Sequence, residues 1–158
     1  MHAEIEHQDA NQQFSVLQTP AEYEGKRFTL LIDSGSTHSF VSPKCVRNLE
    51  LSRKPNTSFT VKIATGKRTK SLTTVGDLKF KLGGHDTHAT FRVLPLGIYD
   101  GILGMDWLKE HDAIVRCGKA SLTFLTNDNQ EVCISGVRGK PKLQLVSFSK
   151  LLKAQRKK

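Results

Sequence analysis

Short stretches of apolar and β-branched residues recur along this chain, and strong turn residues separate them. The first clear strand is predicted over residues 27–32, between the turn signal Glu24-Gly25 and Asp33. Further strands are predicted over residues 59–64, 71–82, 89–94, 102–103, 113–117, 120–125 and 131–134. Short strands with turn signals at intervals of roughly 8–12 residues are typical of an all-β barrel or sandwich.

Two short helices interrupt this β pattern. The first is predicted over residues 43–49, because Ser42 suits the N-cap and Pro43 suits the first helical position. The second is predicted over residues 106–111, and we expect Trp107 to anchor it to the core.

The two ends of the chain differ in composition from its middle. Residues 1–20 are polar and predict a linker, although residues 14–17 could form a short strand. The structured domain is predicted over residues 21–137, followed by a basic tail over residues 138–158. The net charge is +9, but no acidic residue follows Glu131. Residues 132–158 hold eight of the 24 basic residues of the chain, so residues 1–131 hold 16 basic and 15 acidic residues.

The basicity therefore belongs to the tail and not to the domain. Such a tail can contact nucleic acid without sequence specificity, through the phosphates, or it can be a solvated linker. A nearly neutral domain argues against a nucleic-acid-binding face on the domain itself. The longest apolar runs are too short to span a membrane, so no membrane partner is expected.

Cysteine and histidine spacing gives no metal or redox motif. Cys45, Cys117 and Cys133 are far apart and form no CxxC pair, which fits free thiols in a reducing compartment. We expect Cys117 and Cys133 to be small core residues facing each other on neighbouring strands. His85 and His88 are three residues apart in a predicted loop without an evident third ligand, so neither a metal nor a cofactor is predicted.

The candidate chemistry lies in Asp33-Ser34-Gly35, directly after the first strand. A buried strand would hold the carboxylate rigidly at its end. Ser34 adds a hydroxyl that can bond to backbone, and Gly35 lacks a Cβ, so another chain can approach closely. Ser36 and Thr37 add further hydroxyls beside the carboxylate.

One carboxylate is not enough for peptide hydrolysis, which needs a base for water and an acid for the carbonyl oxygen. Two carboxylates about 3 Å apart can share one proton and divide these roles. The chain has no second Asp-Ser-Gly or Asp-Thr-Gly, and Asp100-Gly101 lacks the middle hydroxyl residue. The simplest source of a second carboxylate is Asp33 of another copy, related by a twofold axis.

Two segments with this spacing resemble a known family. They are Leu-Leu-Ile-Asp-Ser-Gly-Ser-Thr-His-Ser-Phe at residues 30–40 and, about 60 residues later, Tyr-Asp-Gly-Ile-Leu-Gly-Met-Asp-Trp-Leu at residues 99–108. Together they resemble the retropepsin-like protease of Ty3/gypsy-type retrotransposon polyproteins and the related domains of Ddi1-type proteins. The resemblance implies an all-β, closed retropepsin-like acid-protease barrel with one or two short helices. It also implies a homodimer that acts on polypeptides and needs no cofactor.

The resemblance assigns roles to individual residues. Asp33 corresponds to the catalytic residue, Ser34 braces the two active-site loops across the dimer, and the backbone of Gly35 binds substrate. Ser36 supports the same loop, and the apolar-apolar-Gly element at residues 102–104 packs beneath it. That element is Ile102, Leu103 and Gly104. The tip of the substrate-covering flap corresponds to Ile63, Ala64, Thr65, Gly66 and Lys67.

One position departs from the retroviral pattern. In retroviral members an Arg directly follows the glycine that corresponds to Gly104, and this Arg supports the dimer. This chain has Met105 at that position, followed by Asp106. Retrotransposon proteases commonly share this feature. The retroviral dimer contacts therefore do not carry over, and the strands within residues 120–134 are a candidate interface instead.

The resemblance implies an aspartic endopeptidase that processes a retrotransposon polyprotein in the cytoplasm, including within virus-like particles. Two other functions stay open. One is a non-catalytic module of the same fold that binds a peptide strand. The other is a nucleic-acid-associated protein that acts through its tail and uses the β domain as a scaffold.

Overall fold

The computed structural model describes residues 17–62 and 68–138, which form eleven strands and two short helices. The predicted flap tip at residues 63–67 and nearly all of the predicted basic tail lie outside the described residues. The helices are α1 (Pro43–Leu49) and α2 (Met105–Glu110). The strands are β1 (Leu17–Tyr23), β2 (Lys26–Ile32), β3 (Phe40–Val41), β4 (Lys54–Lys62), β5 (Arg68–Leu82), β6 (His85–Val93), β7 (Gly101–Leu103), β8 (Ile114–Arg116), β9 (Ser121–Leu125), β10 (Glu131–Ser135) and β11 (Val137–Arg138).

Eight of the described strands form one sheet in the order β11-β1-β2-β7-β3-β6-β5-β4. β8, β9 and β10 form a second, three-stranded antiparallel sheet. The predominance of strands confirms the all-β prediction. β1 also pairs with β5, through Ala21↔Leu82 and Glu22↔Lys81. Closure into a barrel stays a prediction, which this pairing supports.

Residues 17–20 were predicted to be linker, and that prediction is wrong. They form the first part of β1, in which Leu17, Thr19 and Ala21 are buried in strict alternation. The polar composition was misleading because Thr19 is a buried strand residue with 0% exposure. β1 pairs with β11 at residues 17–18 and with β5 at residues 21–22, and Pro20 lies between these two sets of pairs. Because proline has no backbone N–H, this is a position where its absence breaks neither the β1–β11 nor the β1–β5 pairing.

The helix predictions are confirmed. In α1, Ser42 is the N-cap and its hydroxyl accepts a hydrogen bond from the backbone N–H of Cys45 (3.0 Å). α2 begins one residue earlier than predicted. Trp107 on α2 is 2% exposed and donates its indole N–H to the Thr87 hydroxyl (3.1 Å), so it anchors this helix to the core.

The histidines at residues 85 and 88 are on strand β6, not in the loop that was predicted for them. The ring of His85 packs against the edge of Phe124. No helix in the described part of the chain is long and apolar enough to cross a membrane.

The cysteine prediction is wrong for two of the three residues. Cys117 and Cys133 are both exposed. Cys117 directly follows β8 and Cys133 lies on β10, and β9 lies between these two strands in the sheet. Strands two apart in a sheet do not bring their side chains into facing positions. Cys45 is the buried thiol, and this burial raises its pKa to about 12.

Candidate active site

Asp33 stands directly after a strand that is fixed from both sides. β2 pairs with β1 on one side and runs parallel to β7 on the other, with Leu31 opposite Ile102. The backbone N–H of Asp33 donates to the carbonyl of Leu103 (3.0 Å), which continues the β2–β7 ladder by one residue. The position of the half-buried Asp33 is therefore set by a buried strand pair.

The loop after Asp33 is tightened by its own backbone. Gly35 donates its N–H to Asp33 Oδ1 (2.9 Å), and Ser36 donates its N–H to the Asp33 carbonyl (3.1 Å). Ser34 and Gly35 are exposed. Ser36 is buried and donates its hydroxyl to the carbonyl of His38 (2.7 Å), so it holds the loop and does not face solvent.

The element at residues 102–104 lies beneath this loop. Ile102 and Leu103 are 0% exposed, and β7 is hydrogen-bonded between β2 and β3. β3 follows the Asp33 loop in the chain, so β7 lies between the strand that enters the loop and the strand that leaves it. A small apolar cluster supports this junction: Leu31, Phe40, Leu94, Leu96 and Ile102.

Gly104 lies where the two motifs meet, and there is no space for a side chain. An added Cβ would collide with the carbonyl oxygen of His38 and lie 2.6 Å from that of Ser36. The next residue, Met105, donates its N–H to the same Ser36 carbonyl (2.7 Å). The glycine thus allows the backbone after β7 to pack directly against the Asp33 loop.

The sequence reasoning missed a second connection between the motifs, made by Asp106. Its Oδ1 accepts the hydroxyl of Ser39 (2.6 Å) and the N–H of Trp107 (2.7 Å), and its Oδ2 accepts the N–H of Ser39 (3.1 Å). The Ser39 hydroxyl oxygen in turn accepts the N–H of Gly104 (3.0 Å). The sequence does show that Asp106 lies in the first turn of a predicted helix and that a hydroxyl-rich loop lies 67 residues earlier. These two features were the signal from which the contact could have been predicted.

Asp100 also has a structural role. Its Oδ2 accepts the N–H of Thr29 (2.9 Å), and its carbonyl accepts the N–H of Ser42 (2.9 Å). The two motifs contain three aspartates. Two of them, Asp100 and Asp106, accept hydrogen bonds that connect separate strands and loops. Asp33 instead lies beside the exposed Ser34 and Gly35, and its Oδ1 accepts the N–H of Gly35 within the same loop.

The arms of the predicted flap are present as a hairpin. β4 and β5 are antiparallel, and their last described pair is Lys62↔Arg68. The five predicted tip residues join these two positions but lie outside the described residues. Their contact with substrate stays a prediction.

Comparison with known proteins gives the same family as the motifs. The family described as retroviral aspartyl protease matches residues 2–130. No curated protein matches the sequence significantly. The fold is similar to the crystal structure of the retroviral protease-like domain of Ddi1 from Leishmania major, with a TM-score of 0.62 and 19% identity over 82% of this chain and 98% of that chain. The chain therefore belongs to the retroviral aspartyl protease family.

Proposed function

We propose that this protein is an aspartic endopeptidase in which Asp33 is the catalytic residue and a second copy of the chain supplies the other carboxylate. The observation that carries the proposal is the different placement of the motif aspartates. Asp100 and Asp106 accept hydrogen bonds from other elements of the fold, whereas Asp33 directly follows β2 and lies half-buried beside the exposed Ser34 and Gly35. Membership of the retroviral aspartyl protease family supports the proposal.

In the proposed mechanism the two Asp33 carboxyl groups share one proton across the twofold axis. The ionised group accepts a proton from water, and the oxygen of that water bonds to the scissile carbonyl carbon. The protonated group donates its proton to the carbonyl oxygen, which gives a tetrahedral diol. Proton transfer to the nitrogen then allows the C–N bond to break, without a covalent enzyme adduct.

The substrate in this proposal is an extended polypeptide lying between the Asp33 loops and the β4–β5 hairpin. We propose the processing of a Ty3/gypsy-type retrotransposon polyprotein in the cytoplasm, including within virus-like particles. The paired motifs at residues 30–40 and 99–108 support this assignment.

Substitution of the catalytic residue tests the proposal. We expect Asp33→Asn to lower kcat/KM for cleavage of peptides with apolar residues around the scissile bond by at least about 100-fold, because one general acid–base group is lost. A pepstatin-like inhibitor should block the wild-type protein. Asp128→Asn, in the exposed β9–β10 turn, is the matched control and should retain activity. Undiminished cleavage by Asp33→Asn contradicts the proposal.

A specific observation also favours the second candidate, a non-catalytic peptide-binding module. β4 is at one edge of the eight-stranded sheet, and an edge strand can pair with an extended peptide. Sedimentation over a concentration series, with and without an active-site inhibitor, distinguishes the two. A protein that stays monomeric throughout, binds peptide and does not cut it would be the binding module.

A further inference from the structure

A second group of chemically active side chains lies at the far end of α2. Within residues 17–62 and 68–138, His88, Glu110 and His111 each place one potential ligand atom within 4.8 Å of the others. His88 is on β6, Glu110 is the last residue of α2 and His111 is its C-cap. The group thus lies where this helix meets the sheet. It is five to six residues, roughly 9 Å of helix, beyond the Met105 contact to the catalytic loop.

His88 lies between two carboxylates. Its Nδ1 is 2.9 Å from Asp77 Oδ1, and its Nε2 is 3.4 Å from Glu110 Oε2. A neutral imidazole has a single N–H, so a ring that donates Nδ1–H to Asp77 has a lone pair on Nε2. That lone pair then faces a carboxylate oxygen, and the repulsion between these two acceptors is relieved either by a second proton on the ring or by a metal ion between the two atoms.

His111 is oriented in a comparable way. Its Nδ1 is 3.1 Å from the carbonyl oxygen of Trp107, which can only accept, so Nδ1 carries the proton and Nε2 has the lone pair. Nε2 accepts the hydroxyl of Thr87 (3.2 Å), and the oxygen of that hydroxyl accepts the indole N–H of Trp107. A cation at Nε2 would replace the Thr87 contact and leave the Trp107–Thr87 bond in place. The His111 ring is 4% exposed and stacked on Trp107, so its orientation is fixed by packing.

Both histidines therefore use one ring nitrogen to donate to an oxygen acceptor, which is the Asp77 carboxylate for His88 and the Trp107 carbonyl for His111. Metal-binding histidines have this arrangement, because the hydrogen bond sets the tautomer and the direction of the ring. Two histidines and one glutamate are an established ligand set for Zn²⁺, with the fourth position left for water. Ligand atoms about 2.0–2.2 Å from a tetrahedral ion are about 3.3–3.6 Å apart. The distance of 3.4 Å between His88 Nε2 and Glu110 Oε2 lies in this range, and the distances from these two atoms to the His111 ligand atom are within 4.8 Å.

We propose that His88, Glu110 and His111 bind a divalent transition-metal ion of the Zn²⁺ type. The ion would fasten the C-terminal end of α2 to β6. The other end of α2 holds the catalytic loop, through the Met105 N–H bonded to Ser36 and through the Asp106 carboxylate bonded to Ser39. Metal binding would thus stabilise the support of the loop without contacting substrate. This proposal is independent of catalysis by Asp33.

Metal titration of the full chain tests the proposal. The protein is stripped with a chelator and titrated at neutral pH with Zn²⁺ by calorimetry and with Co²⁺ by absorption spectroscopy. We expect one equivalent to bind and the melting temperature to rise by at least about 5 °C at a hundredfold excess over Kd. The Co²⁺ spectrum should lack a thiolate-to-cobalt charge-transfer band, because Cys117 and Cys133 are not ligands.

Three variants locate the ion. His88→Gln and Glu110→Gln should each weaken binding at least about tenfold, because each removes a ligand. His85→Gln, three residues earlier on β6 and packed against Phe124, is the matched control and should bind like the wild type. The proposal is overturned by an absence of stoichiometric binding, by unchanged affinity in both ligand variants, or by a thiolate band in the cobalt spectrum.

Discussion

Gly104 and Asp106 show how single residues hold the Asp33 loop. Gly104 provides a close backbone approach, and Asp106 accepts two hydrogen bonds from Ser39 across the same junction. The sequence predicted Asp33 and Gly104, because each belongs to a short motif with a local physical reason. It did not predict the pairing of Ser39 with Asp106, because that pairing depends on a fold that joins positions 67 residues apart.

Substitution of Gly104 tests the close approach. Gly104→Ala should destabilise the protein by about 1–3 kcal/mol, because backbone carbonyls of His38 and Ser36 cannot move away from the new Cβ. Urea denaturation measures the change. Gly76→Ala, where an added Cβ meets nothing within 4 Å, is the control, with an expected change of less than about 1 kcal/mol. Equal stability of the two variants would refute the close approach.

Thiol labelling tests the burial of the cysteines. Cys45 is buried, and this burial raises its pKa to about 12, so at mildly alkaline pH it stays a neutral and unreactive thiol. Cys117 and Cys133 are exposed. We expect a disulfide reagent to label two thiols quickly in the native protein and the third only after denaturation. Fast labelling of all three in the native state would show that Cys45 is accessible.

At the scale of elements, local chemistry predicted most strands and both helices. The Ser42-Pro43 start of α1 and the apolar run of β2 are signals contained within a few residues. Apart from its first residue, β1 was missed, because Thr19 and Pro20 look like loop residues until β2 and β5 pair with this strand. The Cys117 and Cys133 prediction failed for a similar reason, since strand order within the small sheet depends on its turns and not on composition.

The hydrogen bonds between Asp106 of α2 and Ser39 of the Asp33 loop can be weakened by a substitution that keeps the size of the side chain. Asp106→Asn loses the charge and one of the two acceptor oxygens that bind Ser39 and Trp107. We expect a loss of about 1.5–3 kcal/mol in the free energy of unfolding, because hydrogen bonds to a charged group are among the stronger ones. Chemical denaturation measures the loss, and kcat should fall with it.

A second carboxylate gives the control for this experiment. Asp86→Asn removes an exposed ion pair with Lys81 and should change stability by less than about 1 kcal/mol. If Asp106→Asn is as mild as Asp86→Asn, then Asp106 does not support the loop.

At the scale of the whole molecule, the spacing of the two motifs was enough to predict the family, and the match over residues 2–130 confirms it. The position after Gly104, where retroviral members have Arg, carries Met105 here, and the adjacent Asp106 connects the motifs within one chain. Part of the support of the loop is therefore internal to the subunit. Sequence patterns could not give this, because they do not show which loop a helix will contact.

The central claim is that each chain holds half of a catalytic centre. A fixed amount of wild-type protein, mixed with increasing amounts of Asp33→Asn and allowed to exchange subunits, tests this most directly. If two Asp33 carboxylates are required, mixed dimers are inactive, and peptide cleavage should fall steadily as the variant is added. Addition of Asp33→Ala gives the same decline if the missing carboxylate is the cause. Cleavage that stays constant at all ratios would contradict the claim, because it would show that one chain is catalytically complete.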